Sequence, residues 1–152
     1  MKIYLVRHGQ AVSPEVDPEK PLSPQGRENI EMIAKFLGKK SFPLSLILHS
    51  QKLRAKQTAE IMGQYIAPGL ALEEHAQMAP NDPIEAGFSR TTAEDGDTMI
   101  VGHLPYLQKL LSYMIVDNED LDLVQFNGGT TICVESFNGS WIIDWIVCLE
   151  LL

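Results

Sequence analysis

No apolar run in these 152 residues approaches the roughly 20 that a membrane span requires, so no membrane partner is expected. Basic residues are scarce, with 12 Lys and Arg against 20 Asp and Glu and a formal net charge of −8. That balance argues against nucleic acid, whose backbone is bound through a basic surface. A local cluster of Arg and His can still be positive inside an acidic whole, so a phosphorylated ligand remains open. Cysteine is nearly absent. Cys133 and Cys148 fall in two late strands joined by Phe137-Asn138-Gly139-Ser140, where Asn-Gly signals a tight hairpin. A two-residue turn pairs Phe137 with Ser140 and sets Cys133 opposite Asp144. Cys148 then lies roughly 13 Å further along, too far for a disulfide. Both read as ordinary buried thiols. The four histidines lack close ligand spacing, so no zinc site is expected. A P-loop is missing, since no Gly-rich run ends in Gly-Lys-Ser/Thr, and so is a nucleophilic serine elbow. No metal or other cofactor is expected. The chain enters a strand straight after Met1-Lys2, leaving no room for a signal peptide, and a cytoplasmic location is the expectation.

What is present suits one globular domain over residues 1–152, with 45% hydrophobic content to build a core. Strands and helices alternate. A first strand covers about 2–7, and a loop with Pro14, Pro18 and Pro21 carries Glu15, Asp17 and Glu19. Ser23-Pro24 opens a helix as N-cap and first-turn proline. Ile30, Ile33, Ala34 and Leu37 form its buried stripe, and Gly38 closes it. Leu44–Leu48 is a second strand, and Ser50 is placed to cap a helix to about Ile66, with Ala55, Ala59, Met62 and Ile66 inward. Leu70–Leu72 is a short strand candidate. Residues 73–97 are polar and irregular, with one short helix near Pro83–Phe88. Thr98–Val101 is a strand, and Pro105 starts a helix whose Leu107, Leu110, Leu111 and Met114 share a face. A hairpin of Thr130–Glu135 and Trp141–Leu149 ends the chain. The pattern predicts a three-layer α/β/α domain, its central sheet mostly parallel with an antiparallel edge hairpin. Ligands of such sheets gather at the carboxyl ends of the strands.

Arg7-His8-Gly9 ends the apolar run Ile3-Tyr4-Leu5-Val6, and Gly102-His103 ends Met99-Ile100-Val101. A buried strand has little use for Arg and His at its end, but a phosphoryl site does. A neutral imidazole attacks phosphorus and forms a phosphohistidine that water can open, provided its other ring nitrogen is held by an acceptor such as a backbone carbonyl. Gly9 is expected to let the backbone turn sharply. Arg7 and Arg54 offer planar paired donors to phosphoryl oxygens. Arg54 falls early in the second helix, where the dipole disfavours a cation unless an anion sits opposite. His103 precedes a helix N-terminus that can share the anion. His49 reads as a buried or supporting residue and His75 as surface.

These residues carry a family resemblance. Arg7-His8-Gly9-Gln10-Ala11, Leu22-Ser23-Pro24-Gln25-Gly26, the run Ser50–Ala59 (SQKLRAKQTA) and Val101-Gly102-His103-Leu104-Pro105 resemble the histidine phosphatase superfamily, also called phosphoglycerate-mutase-like. The match runs through most of the chain. Its small size, Leu-Arg-Ala-x-Gln-Thr-Ala and Gly-His-Leu-Pro look most like the compact SixA-type phosphohistidine phosphatases. The resemblance implies the phosphoglycerate-mutase-like fold, His8 as phosphorylated nucleophile, and Arg7, Arg54 and His103 completing the pocket. Gly9, Gln10 and Leu104 would contact substrate. The implied partner is a phosphorylated protein, a histidine-containing phosphotransfer domain or a histidine kinase, met by a monomer.

The sequence departs from mutases and acid phosphatases of the superfamily in the stretch after the third strand. They supply a carboxylate general acid there, whereas Glu73–Pro83 offers no clear counterpart. Asp82 and Glu85 are the candidates. Imidazole leaves phosphorus readily without such an acid, and an alkoxide does not, which favours phosphohistidine. A small-molecule phosphomonoesterase is the alternative within the class. A non-catalytic phosphate-binding module is the alternative outside it.

Overall fold

A computed structural model describes residues 1–152. Six strands form one sheet: β1 (Lys2–Arg7), β2 (Leu44–Ser50), β3 (Leu72–His75), β4 (Asp97–Gly102), β5 (Thr131–Phe137) and β6 (Ser140–Val147). Their order across the sheet is β3-β2-β4-β1-β5-β6. The first four run parallel, and β5 pairs antiparallel to β1 and to β6. The mostly parallel sheet with its antiparallel edge hairpin is thus as expected. All of Ile3, Tyr4, Leu5 and Val6 are buried because β1 lies inside the sheet with helices over both faces.

The pleat divides the core in two. Tyr4, Val6, Ile47, Met99, Val101 and Cys133 face α1 (Pro24–Leu37) and α2 (Leu53–Ile66). Ile3, Leu5, Leu46, Leu48, Ile100 and Ile132 face the other way, against α4 (Tyr106–Val116) and residues beside α3 (Glu85–Thr92). The expected inward stripes of α1, α2 and α4 are all buried. Ser23 caps α1 by accepting from Gly26 N at 2.9 Å, and Pro24 takes the first turn.

Five local expectations are corrected. Ser50 does not cap α2: it is the last residue of β2, and the helix begins after Lys52 with no side-chain cap. The third strand lies two or three residues later than Leu70–Leu72, and α3 runs on to Thr92, where Arg90 grips Glu73 of β3 through two 2.8 Å contacts. Phe137 does pair with Ser140 across the Asn138-Gly139 turn, both turn residues having positive φ. A register shift between Cys133 and Val134, however, sets Cys133 opposite Trp145 and leaves Asp144 out of the pairing. Both thiols are free, Cys133 buried and Cys148 only half-buried.

Candidate active site

β1, β2 and β4 are parallel neighbours, so their carboxyl ends deliver Arg7-His8, Ser50 and Gly102-His103 to one edge. The backbone joins these ends, His8 N donating to Gly102 O at 3.0 Å. The two imidazoles lie with ring centroids 4.9 Å apart. His8 Nδ1 is 2.7 Å from Gly9 O, an acceptor only, so Nδ1 carries the proton and donates. Nε2 then keeps its lone pair. His103 is buried, its Nε2 2.5 Å from Ser50 Oγ. His103 Nδ1 and Arg7 Nε are buried with no protein hydrogen-bond partner.

Both imidazoles are held neutral. Burial, with Arg54, Arg7 and Lys20 nearby, brings the His8 pKa down to about 4, against the opposing pull of Gly9 O. Burial, with His8, Arg54, Lys52 and Arg7, brings His103 down to about 3. Burial also lowers Arg7 and Arg54, though guanidinium stays charged across any working pH.

Neighbouring segments hold these groups in place. Arg7 Nη1 donates to Phe126 O at 2.5 Å, and Gly129 N donates to Arg7 O at 2.9 Å, which docks the 126–129 loop against β1. Gly9 has an ordinary backbone, and its need is close approach: a Cβ there would stand 2.7 Å from Ile30 Cγ1 of α1. Its N–H donates to Thr58 Oγ1 at 3.1 Å, and Thr58 Oγ1 donates to Arg54 O at 2.8 Å. Gln57 Oε1 accepts from Leu22 N at 2.8 Å, fastening the loop before α1. The Gln57-Thr58 pair therefore ties α2 to both loops that frame the site.

Two clefts open here. One of about 290 Å³ is lined by Arg7, His8, Gly9, Gln10, Ala11, Asn127 and Gly128. The other, about 440 Å³, lies between the 18–20 segment and the start of α2 and includes Lys20, Lys52 and Arg54. Of the expected residues, the structure brings Arg7, His8, Gly9 and Gln10 together in one cleft, Arg54 into the next, and His103 beneath His8. Leu104 instead packs against the core on the α4 side. Asp82 and Glu85 line neither cleft. Asp82 Oδ2 accepts from Ala79 N at 2.8 Å, and Glu85 is exposed in the first turn of α3. Ser50 follows a strand and falls on the expected edge, whereas Thr58, Asn127 and Gly128 carry no site signal of their own in the sequence; Asn127-Gly128 lies far along the chain with only a turn-like composition to mark it. His49 is buried, with Nδ1 2.8 Å from Ser50 O, and His75 sits beside Ser50 in the β2–β3 register.

A strand-end Arg-His pair, a second imidazole and a helix-borne Arg gather on one parallel sheet edge, a set of groups chemically suited to a phosphoryl group. Residues 3–79 match the family model of the histidine phosphatase superfamily (branch 1), and the chain belongs to that superfamily. Its similarity to the phosphohistidine phosphatase SixA of Escherichia coli is 23% identity over 122 residues, covering 77% of this chain and 73% of the relative. With the mitochondrial serine/threonine-protein phosphatase PGAM5 of Mus musculus it shares 30% over 89 residues, 54% of this chain. That stretch spans only 31% of the PGAM5 length. A solved structure of the protein histidine phosphatase SixA complexed with tungstate superposes with a TM-score of 0.85 at 21% identity, covering 99% of each chain. The fold is that of the SixA-like enzymes. No helix is long and apolar enough to cross a membrane.

Proposed function

We propose that this chain hydrolyses phosphohistidine on a signalling protein, a histidine-containing phosphotransfer domain or a histidine kinase, through a covalent phospho-His8 intermediate. The observation that carries this reading is the His8 ring, neutral and held through Nδ1 by Gly9 O at 2.7 Å, with Nε2 free to attack. In the first step the Nε2–P bond forms as the substrate's P–N bond breaks. The substrate imidazole, protonated on its second nitrogen, leaves as neutral imidazole, and His8 becomes a phosphoimidazolium whose Nδ1–H donates to Gly9 O. No proton changes hands. Water then attacks phosphorus, the P–Nε2 bond breaks, and phosphate departs as the dihydrogen anion with both water hydrogens, leaving His8 neutral again. Arg7 and Arg54 neutralise the charge on the equatorial oxygens, with His103 beside His8 as a further neutral donor. Neither Asp82 nor Glu85 has a part in this cycle, in keeping with an imidazole leaving group.

Hydrolysis of a small phosphomonoester is the second reading, supported by the 440 Å³ cleft, which has room for a substrate body. The test is phosphate release from a phosphohistidine-bearing transfer domain beside a panel of small phosphomonoesters, without added metal, with His8→Ala in both arms. Preference for the phosphoprotein supports the first reading, and preference for small esters supports the second. Phosphate binding with no release in either arm would indicate a phosphate-binding module instead.

A further inference from the structure

We infer that the cleft between the 18–20 segment and the start of α2 is a second anion subsite, taking a carboxylate or phosphate group that the substrate carries beside its transferred phosphoryl group. This rests on His8 being the phosphoryl acceptor, and it adds a substrate feature that the pocket around His8 does not require.

The cleft presents Lys20, Lys52 and Arg54 in a protein whose net charge is −8. The ion pairs of the fold engage Lys2, Lys35 and Arg90, and none of the three cleft cations is in one. Glu19 also lines the cleft, yet it makes no pair with Lys20 or Lys52. With Arg54 committed to the phosphoryl oxygens, two cations are left over.

The backbone that carries both lysines is fixed. Lys20 holds a left-handed φ of 49°, a conformation that costs a non-glycine residue free energy and persists only where surroundings impose it. They do so here: Lys20 N donates to Asp17 O at 3.0 Å, Val12 N donates to Pro21 O at 2.9 Å, and Ala11 bridges Leu22 at the base of the loop. Lys52 N donates to Ser50 Oγ at 3.3 Å, the same hydroxyl that meets His103. The charge of Lys20 acts on His8 and that of Lys52 on His103, so both lie within Coulomb reach of the reacting pair. Ala76 and Ala79 line the cleft with small side chains, which leaves space for a second group.

Binding of methylphosphonate and of phosphonoacetate, which adds one carboxylate to the same phosphonate, tests the inference without requiring turnover. The whole chain is titrated as wild type, Lys20→Met, Lys52→Met and the double variant. The wild type should bind phosphonoacetate about tenfold more tightly, the upper end of what one half-buried and one exposed ion pair supply together. The double variant should bring that ratio below about twofold. Methylphosphonate binding with no carboxylate preference in wild type, or a preference that survives in the double variant, overturns the subsite alone. Failure of both phosphonates to bind wild type overturns the phosphate pocket and the subsite together. A phosphohistidine peptide bearing a neighbouring glutamate, compared with its glutamine form, then identifies the source. Glutamate-dependent turnover lost in the double variant assigns the anion to an acidic partner side chain. A preference confined to phosphonoacetate assigns it to a small diacid, and either result upholds the subsite.

Discussion

Ser50 Oγ stands 2.5 Å from His103 Nε2, so the last residue of β2 holds the imidazole that follows β4. The bond crosses adjacent parallel strands and lies beneath His8, whose ring is 4.9 Å from that of His103. Ser50 touches no reacting atom in this account and acts as a positioning residue for His103. Ser50→Ala leaves a buried imidazole nitrogen unpaired, at a cost of about 1–3 kcal/mol in stability. Turnover should fall about 10- to 100-fold through kcat, with KM little changed. Ser50→Thr should restore much of it. Steady-state kinetics together with urea unfolding checks both numbers, and a purely structural role would lower stability without moving kcat.

The depressed histidines set the response to acid. A histidine whose folded pKa lies below its unfolded value near 6.5 takes up a proton on unfolding whenever the pH lies between the two. Its stabilising effect is full above about pH 6.5 and is lost as pH falls through 6.5 toward about 4 for His8 and about 3 for His103. Urea midpoints should therefore decline from pH 7 to pH 4, and His8→Asn with His103→Asn should flatten that decline. The acid limb of kcat/KM should fall near pH 4, well below an ordinary histidine titration.

The site residues at strand ends were legible because a buried parallel strand is a continuous apolar run, and Arg7-His8 and His103 break that pattern where β1 and β4 stop. Arg54 was legible from its unfavourable position near a helix N-terminus. The role of Ser50 was not, because a serine before a helix is the usual sign of a cap. Here its hydroxyl is taken by an imidazole 53 residues away in the chain. Likewise the Asn138-Gly139 turn predicted its own closing pair, but turn length says nothing about a bulge further up the hairpin, and Cys133 meets Trp145 rather than Asp144. Asn127 and Gly128 reach His8 only once Phe126 O has accepted from Arg7, a tertiary contact with no local signal. Gly9 is expected from sequence to serve a sharp turn, whereas in the structure it is the close approach of Ile30 that leaves no room for a Cβ.

Gly26→Ala separates helix propensity from site packing. Alanine in a helix ordinarily gains up to about 1 kcal/mol over glycine. A Cβ at Gly26 would stand 2.1 Å from Gln10 O, so α1 must move off the segment that follows His8. The variant should lose at least about 2 kcal/mol and weaken phosphate binding. Gly63→Ala in α2 meets only Ile47 Cδ1 at 3.4 Å and Leu72 Cδ2 at 3.5 Å, and it should gain about 0.5–1 kcal/mol. Thermal or urea unfolding of the pair reads the difference in sign.

Asp82→Asn and Glu85→Gln should each leave phosphohistidine turnover within about threefold of wild type, since neither carboxylate lines a cleft beside His8. Asp82→Asn should lower stability by about 1 kcal/mol by weakening the bond to Ala79 N. A large kcat loss in either variant would assign that residue the proton-donor role.

The central claim is the covalent intermediate. Incubation with a phosphohistidine-bearing transfer domain, rapid quenching at alkaline pH and peptide mass spectrometry should find a phosphoryl group on His8, formed and lost within the turnover time and absent from His8→Ala, which should release no phosphate. Steady phosphate release by the His8→Ala variant, or by wild type with His8 never labelled, would contradict the account.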